Sequence, residues 1–190
     1  MNEYPASFSA RHFAATTLPV ENHGREVLLN AYAYRGGSES EELLVLVHRD
    51  EQAADGVIPI VSVHQACVTG DIFHSLSCDC YKRLRAALES LCAAQFGALV
   101  YLPHNHVGNL DLVRKLRSQA LHDYDQSGAG TNAAICGHID ARSYVLMASA
   151  LHQLGIHKIQ LSSGSAAMVE ALSAAGLSVS MCASLVNAPA

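Results

Sequence analysis

Three cysteines crowd one short run of this chain, CVTGDIFHSLSCDC, at positions 67–80. Cys67, Cys78 and Cys80 follow the spacing C-x10-C-x-C. A disulfide uses two thiols and leaves one over. A closed structural zinc site takes four ligands, whereas three protein ligands and an open position mark a metal that does chemistry. In an extended segment Cys78 and Cys80 point to the same side, and a loop can close the distance back to Cys67. Thiolates bind zinc tightly. With three thiolates and one water, zinc brings the pKa of that water towards neutrality and makes hydroxide available near pH 7. His64, His74, Asp71 and Asp79 are close in sequence, as a fourth ligand or as groups that orient the ligands. On spacing alone, a closed site of three cysteines and one histidine competes with the open one.

The other three of the six cysteines, Cys92, Cys136 and Cys182, sit singly among apolar residues and read as small core residues. Clustered thiols in a reducing compartment point to metal or catalysis rather than disulfides. With 190 residues, half of them hydrophobic and 15% charged, the chain has the composition of one globular domain. A net charge of −5 argues against non-specific nucleic-acid binding, which needs a basic face. No apolar run approaches the roughly 20 residues of a membrane span. MNEYPASFSARHF lacks a basic region followed by an apolar one, so a signal peptide is not expected and the cytoplasm is the expected compartment.

The elements that must position the thiols are legible from apolar periodicity. EVLLNAYAY (26–34) and ELLVLVH (42–48) read as two edge strands of an antiparallel hairpin, and IPIVSVH (58–64) as a strand leading into Cys67. After Cys80 the period becomes helical, with Leu84, Leu88, Leu91 and Cys92 on one stripe. ALVYL (98–102) is a buried strand, PHNHVGN a loop, and 110–122 amphipathic. A Gly-rich connection at 123–139 is longer than a typical loop, and such loops are often functional. A helix is expected over 141–154, with Asp140 as N-cap and Gly155 as C-cap. Strand HKIQLSS, helix SAAMVEALSAAG and strand LSVSMC complete the chain. The expectation is an α/β (mixed α+β) fold over residues 1–190: one mixed-sheet domain, antiparallel at the start and alternating strand and helix, with parallel pairing, in its second half.

The run H-Q-A-C-V-T-G-D-I-F-H-S-L-S-C-D-C resembles the signature of the GTP cyclohydrolase II family, R-x-H-S-E-C-L-T-G-D-x-x-x-S-x-R-C-D-C-G. The likeness continues in KLRSQALHD (115–123), IDARSY (139–144) and HQLGI (152–156), in the family's order and over nearly the whole chain. The resemblance implies Zn2+ held by Cys67, Cys78 and Cys80, with zinc-bound water attacking the C8 carbon of a guanine imidazole ring and formate leaving. It implies Asp140 as an acid/base carboxylate and Arg142 as a phosphate contact. Without it, the two read as a helix N-cap and a solvated first-turn cation. It further implies a homodimer.

The departures are as informative. Ser62 and Ser77 stand where the family has arginines. HNHVGN (104–109) replaces a loop that contacts base and phosphates, with His106 at its glutamate and Gly108 at its second arginine. SSGSAAM (162–168) replaces a turn that carries a lysine, and Gln119 replaces a tyrosine. Each charge-assisted hydrogen bond contributes roughly 1.5–3 kcal/mol. Losing three phosphate contacts therefore removes on the order of 5 kcal/mol, some thousands-fold in affinity. The zinc triad, Asp140 and Arg142 persist while the GTP-recognition groups do not. The sequence reading is a zinc-dependent hydrolase that opens a C–N bond of a nitrogen heterocycle, purine- or pyrimidine-like and less anionic than GTP. Asp140, Arg142 and Gln119 are its catalytic candidates. His64, Asp71, His104, His106, Asn109 and Ser163 are its substrate-binding candidates, although His104 and His106 read equally as solvated loop residues. Two other readings compete: a GTP cyclohydrolase II releasing formate and pyrophosphate, and a non-catalytic binding protein stabilised by zinc.

Overall fold

The computed structural model describes residues 11–37, 41–103, 116–117, 120, 139 and 141–182. Seven strands form one sheet: β1 (Arg11–Asn22), β2 (Arg25–Arg35), β3 (Glu42–Arg49), β4 (Ile60–Gln65), β5 (Phe96–Leu102), β6 (Lys158–Leu161) and β7 (Ser178–Met181). Their order across the sheet is β1-β2-β3-β5-β4-β6-β7. β1, β2, β3 and β5 pair antiparallel in sequence, whereas β5, β4, β6 and β7 pair parallel. The mixed α/β architecture expected from the sequence is therefore the one observed.

The hairpin of β2 and β3 is antiparallel as expected, but neither strand is an edge. β1 takes that place, pairing with β2 from Arg11↔Arg35 to Asn22↔Arg25. His23 (φ 52) and Gly24 (φ 75) turn the chain between them, both in the left-handed region that a two-residue hairpin turn requires. β1 has a weak strand signal because it is mostly exposed and contains Pro19. An edge strand tolerates a proline, since one of its backbone rows faces solvent.

Three helices pack on the sheet among the described residues: α1 (Cys80–Ala93), α2 (Ala141–Gln153) and α3 (Ala166–Ala174). α1 lays Leu84, Ala87, Leu88 and Leu91 on Leu29, Ala31, Leu46 and Leu99. The second core, on the opposite face, joins Leu43, Val45, Val61 and Val100 to Leu146, Met147, Leu151 and Leu172 of α2 and α3. Covered on both sides, β5 is a continuous apolar run rather than an alternating one. Gly155 (φ 75) ends α2, with Ile156 N–H returning to Leu151 O at 2.9 Å, as the C-cap expectation had it. Ser165 caps α3 by accepting from Met168 N–H at 3.2 Å. Cys182 is buried and Cys92 packs against the α1 core; burial pushes the Cys92 thiol up, with Arg85 opposing. Asp140, Cys136, the 104–109 loop and most of 110–139 lie outside the described residues. No helix among the described residues is long and apolar enough to cross a membrane.

The placement of the helices fixes where a site can form. Parallel crossovers are right-handed. α1 connects β4 to β5 in one direction across the sheet, and α3 connects β6 to β7 in the other. One hand of crossover then demands opposite faces. The chain leaves the carboxyl end of β4 for the face that carries α1, while α2 and α3 cover the other, and in sheets covered on both faces ligands bind in the crevice outside the carboxyl ends of the strands. Cys67 follows the end of β4 directly.

Leu161 is fully buried and Leu28 is 59% exposed. Leu161→Ala should lower unfolding free energy by about 2–5 kcal/mol, and Leu28→Ala by no more than about 0.5 kcal/mol. Urea denaturation of both variants checks the assignment of the core; equal losses would contradict it.

Candidate metal centre

Ala66 N–H donates to Leu102 O at 2.9 Å, so the chain is still tied to β5 when it reaches Cys67. It then makes a single π-helical turn, Val68–Ile72, at whose start Asp71 N–H donates to Cys67 O at 2.6 Å. Wide turns of this kind often occur at functional sites. The turn folds back on its own first side chain, for Gly70 N–H donates to Cys67 Sγ at 3.1 Å. Cys80 opens α1, where the positive end of the helix faces a thiolate. Asp79 between the last two cysteines has φ −96 and ψ 10. The pair Cys78 and Cys80 is thus brought together by a bend into the helix, not by the extended segment that the spacing suggested.

The three sulfurs lie within 4.8 Å of one another. Cys67 Sγ is 3.7 Å from Cys78 Sγ. A disulfide would hold them at about 2.05 Å, and none of the three cysteines is in a disulfide. Tetrahedral sites with metal–sulfur bonds of about 2.3 Å separate their sulfurs by about 3.8 Å. The donor set therefore fits a thiophilic divalent ion. Its mouth is on the side of Cys78, which is half-buried, while Cys67 and Cys80 are buried. Gly70 is what lets the sulfurs converge. A Cβ there would lie 2.7 Å from Cys80 Cβ and 2.9 Å from the sulfurs of Cys67 and Cys78. Arg83, one turn into α1, donates from Nη2 to Cys80 Sγ at 3.4 Å and pairs with Asp79 at 3.1 Å.

A cross-sheet row leads away from this cluster. Ala33, Leu44, Tyr101 and His64 are register neighbours on β2, β3, β5 and β4, on the face that carries α1. The His64 and Tyr101 rings stack with centroids 5.7 Å apart. Burial, then the negative charges of Asp71 and Cys67, raise the Tyr101 phenol above its usual range, so it stays a neutral donor. At the far end of the row, Ala33, Arg35, Glu42, Leu44, Tyr101 and Pro103 line a cavity of about 250 Å³. Arg35 and Glu42 form an ion pair on its wall.

The other sequence candidates are placed as follows. His64 and Asp71 are buried against each other, 3.0 Å apart. Ser62 is buried, and its hydroxyl meets that of Ser162, just past the end of β6, at 2.7 Å. Ser77 and Ser163 are exposed in loops. Arg142, in the first turn of α2, has its Nη1 3.8 Å from Oε1 of Glu41, a carboxylate only 9% exposed. Neither Glu41 nor the Ser62–Ser162 pair was visible in the sequence. Glu41 sits in a polar turn that reads as solvated, and the two serines are a hundred residues apart in sequence. Asp140, Gln119, His104, His106 and Asn109 lie outside the described residues.

Fold and site together define a mixed-sheet α/β protein with a three-thiolate cluster at the carboxyl end of its parallel strands. Residues 11–183 match the family described as GTP cyclohydrolase II, and the chain belongs to that family. It is 33% identical over 146 residues to the riboflavin biosynthesis protein RibBA of Salinispora tropica, covering 77% of this chain and 36% of that protein. It is 32% identical over 140 residues to the GTP cyclohydrolase-2 of Actinobacillus succinogenes, covering 73% and 63%. The GTP cyclohydrolase-2 of Streptomyces coelicolor is 33% identical over 149 residues, covering 78% and 66%. The chain thus spans about a third of the length of the RibBA relative.

Gly70→Ala should separate the sulfurs, because the new methyl group meets two of them and the Cβ of the third cysteine. Metal content after equilibration with zinc should fall well below one ion per chain while circular dichroism retains the sheet. Full occupancy in the variant would contradict the packing described.

Proposed function

We propose that this chain is a zinc-dependent hydrolase that opens a C–N bond of a nitrogen heterocycle less anionic than GTP. The observation that carries the hydrolase reading is the cluster of three converging thiols, outside any disulfide, with one half-buried side. A zinc ion held by Cys67, Cys78 and Cys80 supplies Lewis acidity at the crevice. The residues around it shape what enters. Cys67 and Cys80 close the back of the centre against water, and Arg83 offsets thiolate charge. Tyr101, kept neutral, offers an O–H on the face that carries the cavity. Arg142, fixed near Glu41 at the start of α2, and Asp140 just before it are the proposed charge-stabilising and proton-carrying groups, with Gln119 as a neutral hydrogen-bonding partner. His104, His106, Asn109 and Ser163 are proposed to contact the ring.

The reading of a less anionic substrate is supported by Ser62. Where the family pattern carries a cation, the chain has a hydroxyl that is buried and satisfied by Ser162. Such a pair adds no charge to the crevice. A polar group matched to a missing partner discriminates strongly, so a triphosphate that finds Ser62 and Ser77 in place of cations is disfavoured. The competing reading, a GTP cyclohydrolase II releasing formate and pyrophosphate, is supported by the names of the relatives.

The test is a zinc-loaded chain incubated with GTP, guanosine and uncharged purine and pyrimidine rings, following ring absorbance, formate and pyrophosphate. The expected result is turnover of an uncharged ring, with kcat/KM for GTP lower by about three orders of magnitude, in keeping with three lost phosphate contacts. Stripping the zinc should abolish turnover and leave the far-ultraviolet circular dichroism unchanged. Formate and pyrophosphate from GTP, with every uncharged ring untouched, would establish the competing reading. Unfolding on zinc removal, with no substrate turned over, would favour a non-catalytic protein.

A further inference from the structure

Asp71 lies four residues after Cys67, and its side chain is 6% exposed. Its carboxylate has contacts in two directions. Oδ2 accepts the Cys67 backbone N–H at 2.9 Å. Oδ1 and Oδ2 lie 3.1 and 3.0 Å from His64 Nε2, which places the Nε2 proton on the carboxylate side. His64 is 5% exposed and stacked on Tyr101, so its ring is held by two strands. The Asp71 backbone N–H meanwhile donates to Cys67 O at 2.6 Å. One residue thus fixes Cys67 from its N–H and from its carbonyl, and ties both to β4. Both carboxylate oxygens are engaged inside the protein, Oδ1 by His64 and Oδ2 by His64 and the Cys67 N–H. A buried carboxylate persists when its oxygens are satisfied in this way.

We propose that Asp71 is a positioning residue of the thiolate centre: it sets the direction of Cys67 Sγ, and through it the metal affinity, without touching metal or substrate. This rests on the metal reading given under Proposed function. The physical reason is the geometry of the turn. Cys67 Sγ must point at Cys78 Sγ while Gly70 N–H approaches it from the other side. Rotation of the Cys67 peptide by even a small angle moves the sulfur out of that position. Groups that orient metal ligands typically change metal affinity 10–100-fold when removed.

The test uses the full chain, stripped of metal and titrated with Co2+, in the wild type, Asp71→Ala and Asp71→Asn. Two quantities are read: the thiolate-to-cobalt charge-transfer absorbance, and the Kd from competition with a chelator. Thermal midpoints of the metal-free proteins are recorded alongside. Asp71→Ala should weaken Co2+ binding about 10–100-fold and reduce the charge-transfer band. Asp71→Asn should fall between, because its amide oxygen can still accept from Cys67 N–H, and it carries the comparison if the alanine variant does not fold. A wild-type Kd and spectrum in Asp71→Asn, or a lowered metal-free midpoint with unchanged Co2+ affinity, would overturn the proposal. If the wild type itself takes up no Co2+, the metal reading fails and the positioning role with it.

Discussion

Three thiols held within 4.8 Å of one another are the constraint on which the rest of this structure turns. As thiolates they repel: two unit charges about 4 Å apart oppose each other by about 4 kcal/mol at an effective dielectric of about 20. A fold keeps such a cluster when a cation is shared among the sulfurs and the backbone holds them in place. The chain contributes part of the compensation itself, through Arg83 at Cys80 Sγ, Gly70 N–H at Cys67 Sγ and the N-terminus of α1. A divalent ion bound by the three cysteines would supply the remainder.

The sheet explains why the cluster is where it is. β4 delivers Cys67 to its carboxyl end, and α1 must begin there to return the chain to β5. Cys78 and Cys80 are therefore carried back to Cys67 by the same crossover that covers one face of the sheet. α2 and α3 cover the other face. The row of His64, Tyr101, Leu44 and Ala33 runs along the α1 face from the end of β4 to the cavity beside Tyr101. Charge is sparse along this row. Its polar members are His64, paired with Asp71, and a neutral phenol.

Much of this was legible in the sequence, for identifiable reasons. The helical stripe of Leu84, Leu88 and Leu91 and the apolar run of β5 are strong periodic signals, and the C-x10-C-x-C spacing named the thiols. β1 escaped notice because an exposed edge strand needs little apolar alternation, and its presence moved β2 and β3 to the sheet interior. The spacing could not show that Gly70 must lack a side chain, since that depends on where three sulfurs meet. Asp71 was legible as a neighbour of the cluster, but the direction of its carboxylate depends on His64, which comes from a different element. The Ser62–Ser162 contact required knowing that β4 and β6 are parallel neighbours, a fact of topology that no local pattern carries.

The central claim is that the three thiols hold a metal with one position left open. X-ray absorption at the zinc edge of the purified, zinc-loaded chain tests it most directly. The account predicts three sulfurs at about 2.3 Å and one lighter ligand at about 2.0 Å without the outer-shell scattering of an imidazole ring. A fourth sulfur, an imidazole in the fourth place, or no specifically bound zinc would contradict it.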